Sequence, residues 1–185
     1  VQLNKIVKTV SIIVIGSILL TISAKIKIPF YPVPMTMQTF VVLFFGIAFG
    51  YKIGLATVTL YLLEGIFGLP VFANSPEKGI GLVYFTGPTM GYLIGFLVAV
   101  YLVGIRRDLL YWSKKHYVNL FTVFTRLIVS ASFIYILGLL WLGSLIGWDK
   151  PIYKLGAEPF LLAELFKLSL LTALYPWIKK LDKII

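Results

Sequence analysis

The sequence has no cysteine, a single histidine and few acidic residues among its 185 positions. Without cysteine, the chain can form neither a disulfide nor a thiolate nucleophile or metal ligand. His116 alone, in a basic loop, excludes a histidine-rich site, so we expect no metal ion. The sequence also lacks a Walker-type glycine-rich loop, a zinc-protease histidine pair and a Ser-His-Asp set. We therefore expect a protein that is not an enzyme and holds no cofactor.

Charged residues make up only 13% of the chain, against about 25% in soluble domains. Hydrophobic residues reach 59%, and the mean hydropathy is +0.96. One small core cannot enclose that much apolar surface, so the chain must use lipid as its solvent. The net charge of +10 comes from basic residues that stand mostly at the ends of apolar runs. That placement indicates contact with the lipid bilayer and its anionic headgroups rather than with nucleic acid.

Apolar runs long enough to approach the ~20 residues of a transmembrane helix occur six times. They predict an all-α, polytopic six-helix bundle that forms a single membrane domain over 1–185. The predicted spans cover residues 7–28, 36–50, 53–68, 88–104, 119–147 and 159–177. A proline-rich connector at 29–34 and a long connection at 69–85 separate the early spans. The first run lacks a small-x-small exit, so we expect no cleavable signal peptide.

The distribution of Lys and Arg predicts the orientation of these spans. With the N-terminus inside, ten basic residues lie inside, and the other side holds five: Lys25, Lys27, Lys78, Lys150 and Lys154. The inside set is Lys5, Lys8, Lys52, Arg106, Arg107, Lys114, Lys115, Lys179, Lys180 and Lys183. This bias predicts that both termini are cytoplasmic in a bacterial inner membrane. The connectors at 29–34, 69–85 and 148–158 then face outside.

Ionisable side chains inside predicted spans usually face a cavity or a partner, and there are four of them. Arg126 stands about two turns from the inner end of its helix, where it can snorkel. Glu64 stands near an outer end, where it either pairs with Lys25 or Lys27 or contacts a ligand. Glu164 and Lys167 are three residues apart and share one helix face. They form either an intrahelical salt bridge or a preformed acceptor and donor open to an outer pocket.

Two glycine ladders predict close helix packing, because small residues every four positions let backbones approach in lipid. One ladder is Gly46, Gly50 and Gly54; the other is Gly87, Gly91 and Gly95. Near the second ladder, polar and aromatic side chains gather at one outer level. Asn74, Thr86, Thr89 and Tyr92 supply the polar groups, and Phe72, Tyr84, Phe85 and Tyr92 could wall an apolar ligand.

Four blocks of sequence, in order along the chain, resemble the BioY family. They are IPFYPVPMTMQT at 28–39, GLPVFAN at 68–74, GPTMGYLIGF at 87–96, and Pro159-Phe160 followed by Glu164-x-x-Lys167. Members of this family are biotin-binding S-components of energy-coupling factor (ECF) vitamin transporters. The family usually has Asp where Glu164 stands, and Gly where Met90 stands. The resemblance implies six helices, capture of biotin from outside, and biotin uptake.

The same resemblance implies the candidate binding residues and partners. Biotin is the implied transported ligand, and its ureido ring offers two N–H donors and a carbonyl. Glu164 could accept the N–H groups, while Lys167 could donate to the carbonyl or the carboxylate. Asn74 and Tyr92 are further candidates, and Thr36 and Gln38 would close the first connector over the site. The implied protein partners are an ECF transmembrane coupling subunit and cytosolic ATPase subunits.

Two alternatives remain open. One is an S-component for another vitamin, such as thiamine or riboflavin; a cationic thiamine would favour acidic and aromatic residues without a lysine. The other is a membrane structural protein that has no ligand and takes no part in transport. A ligand that binds tightly would distinguish them, since it raises the apparent melting temperature by mass action.

Overall fold

The protein is an all-α bundle with one short β-hairpin, seen in a computed structural model that describes residues 2–105 and 116–181. Within these residues, the helices are α1 (Gln2–Lys25), α2 (Gln38–Ile66), α3 (Met90–Gly104), α4 (His116–Ile146), α5 (Ile152–Gly156) and α6 (Leu161–Leu181). The strands β1 (Lys27–Ile28) and β2 (Met35–Thr36) pair antiparallel. Two 3-10 segments, Gly81–Thr86 and Glu158–Phe160, precede α3 and α6.

Four helical stretches of the described chain are long and apolar enough to cross a membrane. They are Leu3–Lys25, Gln38–Ile66, Asn119–Ile146 and Ile152–Leu181, and α3 is a shorter apolar helix. The basic residues Arg106, Arg107, Lys114, Lys115 and Lys183, which carry much of the predicted orientation, lie outside the described residues. His116 is the first residue of α4, so the prediction that it lies in a loop was wrong.

The long helix α2 folds back on itself at Gly50. This residue has φ 80° and ψ 174°, a backbone conformation essentially reserved for glycine. A Cβ atom on Gly54 would lie 3.5 Å from the Cα of Gly46, whereas eight residues of straight helix span about 12 Å. The chain therefore reverses at Gly50, next to the connection predicted at Tyr51 and Lys52, and α2 supplies two arms to the bundle.

Glycines set the packing of α2 on α3 and of α3 on α4. Gly46 and Gly54 both contact α3, at Val103 and Val100 respectively. A Cβ atom on Gly95 would lie 2.6 Å from the Cα of Ile134 in α4. No side chain fits at that separation, so α3 and α4 touch through their backbones, as the second glycine ladder predicted.

The first connector differs from its prediction at both ends. The predicted first span reached residue 28, yet α1 ends at Lys25 because Lys27 and Ile28 pair with Thr36 and Met35. The second helix begins at Gln38 rather than at residue 36 for the same reason. Extended pairing leaves the prolines between the strands to form the tip of a hairpin. This hairpin lies beside the start of α6.

Candidate functional site

The first two turns of α6 carry two charged side chains into the bundle interior. Glu164 is 4% exposed and Lys167 is 5% exposed. The Lys167 Nζ atom lies 3.0 Å from the Glu164 Oε2 atom. Because the spacing of three puts both on one helix face, neighbouring elements can surround the pair.

The two oxygens of the Glu164 carboxylate have different surroundings. Oε2 accepts three hydrogen bonds, each of 3.0 Å, from Thr39 Oγ1, Tyr135 OH and Lys167 Nζ. Oε1 is buried and has no hydrogen-bond partner among the residues that the structure describes. An ionised carboxylate accepts bonds at both oxygens, and a buried polar atom without a partner is costly. Oε1 is therefore an open acceptor.

The Lys167 ammonium uses its three donors within the protein. Besides Glu164, it donates to Thr39 Oγ1 at 2.9 Å and to the Thr36 carbonyl oxygen at 2.8 Å. Lys167 thus ties α6 to the start of α2 and to the hairpin strand β2. A ligand that bonds directly to this ammonium has to replace one of these acceptors.

Glu164 and Lys167 line a cavity between the hairpin, α3, α4 and the start of α6. The hairpin supplies Val33, Pro34 and Met35 to the apolar part of its wall. The other apolar lining residues are Leu93 and Phe96 from α3, Ile134 from α4, Phe160 from the segment before α6, and Ala73 from the loop after α2. The cavity is therefore apolar over most of its wall, with a charged pair at one place.

The hairpin is held over this cavity by side chains. Phe30 packs edge-on against Phe160, with ring centroids 5.6 Å apart. Gln38 is buried, and its Nε2 atom donates to the Tyr61 hydroxyl at 2.7 Å. The Thr36 hydroxyl lies 3.3 Å from the Gln38 Oε1 atom. Thr36 and Gln38 both line the cavity, where they join the connector to α2.

Two tyrosines form the aromatic part of the wall. The Tyr84 ring stacks on Phe72 at 4.6 Å with an interplanar angle of 25°. Burial raises the pKa of the Tyr84 hydroxyl, so it stays protonated at neutral pH. The Tyr92 hydroxyl donates to the Gly156 carbonyl oxygen at 2.8 Å, which leaves its ring to face the cavity. Of the predicted aromatic wall, Tyr84 and Tyr92 line the cavity, and Phe72 supports Tyr84 from behind.

Asn74 lies apart from the other predicted site residues. Thr36, Gln38, Tyr92, Glu164 and Lys167 line the main cavity, whereas Asn74 lines a smaller neighbouring pocket with Lys78 and Gly87. Its Oδ1 atom accepts a hydrogen bond of 3.0 Å from Lys27 Nζ. Tyr84 and Thr89 line both pockets, so the two pockets adjoin.

Glu64 does not pair with either of the lysines considered for it. Lys25 donates to the carbonyl oxygens of Phe72 and Ser75, each at 2.7 Å. Lys27 donates to the Ala73 carbonyl oxygen, also at 2.7 Å. The prediction that either lysine pairs with Glu64 was therefore wrong, because both hold the loop after α2. Glu64 instead accepts a hydrogen bond of 2.9 Å from Ser17, away from the cavity lining.

Arg126 has a structural role at the C-terminal end of α3. Its Nε atom donates to the Leu102 carbonyl oxygen at 3.0 Å, and its guanidinium also contacts the Ile105 carbonyl oxygen. Carbonyl groups in the last turn of a helix lack intrahelical partners. A cation there satisfies these carbonyls and interacts favourably with the helix dipole.

Within the described residues, no group of acidic and histidine side chains could hold a metal ion.

Sequence reasoning missed Thr39 and Tyr135, which both bond to Glu164. Thr39 follows Gln38 in a polar stretch, but its neighbours on α6 are more than 120 residues away in the chain. Tyr135 stands in the middle of the long apolar helix α4. A tyrosine hydroxyl at membrane depth needs a hydrogen-bond partner, and this need was the sequence signal that could have identified the residue. Only the tertiary arrangement identifies the atom that each hydroxyl contacts.

Comparison with known proteins gives consistent relatives over nearly the whole chain. A probable biotin transporter BioY of Pyrococcus horikoshii is 32% identical over 86% of this chain and 89% of its own length. The biotin transporter BioY of Thermotoga maritima is 33% identical over 89% of this chain and 91% of its own length. The biotin transporter BioY2 of Lactococcus lactis is 30% identical over 89% and 86%.

A solved structure shares the fold. The crystal structure of an S-component for biotin from an ECF-type ABC transporter superposes with a TM-score of 0.77 and 24% identity. The match covers 96% of this chain and 93% of that one. The model of the BioY family matches residues 2–183. The chain is a multi-pass membrane protein that belongs to the BioY family.

Proposed function

We propose that this protein binds biotin from the outer side of the membrane and serves in biotin uptake, with no catalysis of its own. The observation that carries the proposal is the buried Glu164 Oε1 atom, an acceptor without a partner on a residue that lines the cavity. A ligand N–H donor would satisfy this atom in a charge-assisted hydrogen bond. Membership of a family whose relatives are named biotin transporters supports biotin as the source of that donor.

The remaining wall suits the other parts of biotin. The thiophane ring is apolar and fits between the Tyr84 and Tyr92 rings and the aliphatic lining of the cavity. The ureido carbonyl needs a donor, and Lys167 can supply one if it releases the Thr36 carbonyl oxygen. In that arrangement Glu164 binds a ureido N–H group and Lys167 binds the carbonyl of the same ring. The closed hairpin keeps water out of the cavity.

The valerate tail extends toward the neighbouring pocket in this proposal. Lys78 is the cation of that pocket, and Asn74 keeps its amide N–H groups as donors because Lys27 contacts only its oxygen. A carboxylate is stabilised by both kinds of donor. Asn74 thus has a role at the tail, one pocket away from the charged pair.

We further propose that uptake depends on partners in a bacterial inner membrane. The sequence has no nucleotide-binding loop, so the energy would come from cytosolic ATPase subunits through an ECF transmembrane coupling subunit. The S-component described for the structural neighbour belongs to a transporter of this type. Both termini would then be cytoplasmic, and the hairpin would open to the outside for capture before release inward.

A thermal-shift screen of the purified protein, with tritiated-biotin saturation in parallel, tests the proposed function. Biotin should raise the apparent melting temperature by mass action, whereas thiamine and riboflavin should leave it unchanged. Saturation should give one biotin per chain. A shift with another vitamin and none with biotin would assign a different ligand. No shift with any vitamin, together with no bound tritium, would favour a structural protein.

A further inference from the structure

The Glu164 carboxylate is held asymmetrically by three elements of the fold. Thr39 comes from α2, Tyr135 from α4 and Lys167 from α6 itself, and all three donate to the same oxygen, Oε2. Free rotation of a carboxylate would exchange its two oxygens. Three donors converging on one oxygen oppose this exchange, and Oε1 is the oxygen that remains open.

The three donors differ in stiffness. Lys167 has a flexible four-carbon stem on the same helix as Glu164, so its ammonium can follow a carboxylate that rotates. Tyr135 is a rigid phenol on a different helix, with its ring packed edge-on against Tyr92 at 6.2 Å. The Thr39 hydroxyl is oriented as well, because it accepts a hydrogen bond from Lys167 while donating to Glu164. Tyr135 and Thr39 therefore determine the direction of the acid.

We propose that Tyr135 and Thr39 are positioning residues for ligand specificity. By fixing Oε2, they point Oε1 at the cavity as an acceptor and select a ligand ring that presents an N–H at that point. The inference rests on the proposed function, in which this donor is one ureido N–H of biotin. Glutamate needs such support more than a shorter acid does, because its additional rotatable bond gives the carboxylate more orientations to lose.

The expected selectivity follows from the type of hydrogen bond. A hydrogen bond to a charged group contributes about 1.5–3 kcal/mol, which corresponds to about 10- to 150-fold in affinity. A ligand without the N–H loses this contribution and leaves Oε1 buried without a partner. If the carboxylate is free to turn, biotin loses much of the affinity that its hydrogen bond to Oε1 contributes. A ligand that never made this hydrogen bond loses little affinity.

Binding constants for biotin and for its two forms methylated on one ureido nitrogen test this inference. The wild type should prefer biotin over at least one methylated form by 10-fold or more. In Tyr135→Phe, biotin affinity should fall about 10-fold and the affinity for that methylated form less than about 3-fold, so that the preference narrows. Thr39→Val should narrow the preference for biotin in the same way. Thr39→Ser, which keeps the hydroxyl, should show the wild-type preference.

Tyr92→Phe is the matched control. It removes a hydroxyl from the same cavity wall, but this hydroxyl bonds to the Gly156 carbonyl oxygen rather than to Glu164. It should change the affinities for biotin and its methylated form by the same factor. An unchanged preference in both Tyr135→Phe and Thr39→Val would overturn the inference while leaving biotin binding intact. Failure of the wild type to bind biotin would instead overturn the proposed function.

Discussion

Two glutamates within the helical spans show how surroundings decide the role of a carboxylate. Glu64 accepts a hydrogen bond from Ser17 at the interface of α1 and α2, away from the cavity lining. Glu164 is almost fully buried, pairs with Lys167, lines the cavity, and has one oxygen without a hydrogen-bond partner. Both acids are costly in a membrane, but only Glu164 has the geometry of a ligand contact.

Removing the lysine alone should destabilise the protein more than removing the whole pair. Lys167→Met leaves a buried carboxylate without its counter-ion, which costs about 3–5 kcal/mol. The double variant Lys167→Met with Glu164→Gln removes that unpaired charge, so part of the stability should return. Thermal unfolding of the purified variants without ligand measures both effects. Additive losses in the double variant would show that the two side chains act independently.

At the level of elements, the cavity depends on how closely α3 and α4 approach. Gly95 faces the backbone of Ile134, and Ile134 and Tyr135 both line the cavity. The packing of these helices therefore sets the position of the hydroxyl that contacts Glu164. Backbone contact leaves no room for adjustment by side-chain movement.

Gly95→Ala should separate these helices. Its Cβ atom would lie 2.6 Å from the Ile134 Cα, and overpacking of this kind costs about 1–3 kcal/mol. We expect a lower melting temperature and weaker biotin binding together. Gly143→Ala is the control on α4, because its Cβ would meet only the side chain of Trp148, which is exposed and can move. Equal losses in the two variants would contradict this account of the packing.

The sequence predicted the helices better than the connections between them. Apolar runs bounded by Lys, Pro and Gly indicated most helix positions, and the glycine ladders indicated where helices pack closely. The β-hairpin was missed because strands of two residues leave no periodic signal. The spacing of Glu164 and Lys167 identified the charged pair, whereas Thr39 and Tyr135 reach it only through contacts distant in sequence. The pairing predicted for Glu64 failed because backbone carbonyls compete for the same lysines.

For the molecule as a whole, cysteine labelling can test the proposed orientation in the membrane. The native chain has no cysteine, so a single introduced cysteine reports one site. Tyr31→Cys, at the 82% exposed tip of the hairpin, should react with a membrane-impermeant maleimide in intact cells. Lys52→Cys, an exposed position beside the reversal at Gly50, should react only after the membrane is permeabilised. The opposite pattern would place both termini outside.

Two connections, the hairpin and the loop after α2, cover the cavity. The hairpin contributes its wall through Val33 and Pro34, and the loop after α2 contributes Ala73. Lys25 and Lys27 fasten that loop to the end of α1. Both connections close on a pocket whose polar centre is Glu164. We therefore expect ligand binding to depend on that one side chain.

The affinity of purified Glu164→Gln for tritiated biotin tests this dependence most directly. Glutamine keeps the size of the side chain but removes the negative charge that strengthens a hydrogen bond with the ligand. We predict at least a 10-fold loss of affinity, with Glu64→Gln, the other glutamate within the helices, remaining within about 2-fold of the wild type. Wild-type affinity in a folded Glu164→Gln protein would contradict the central claim that this carboxylate binds the ligand.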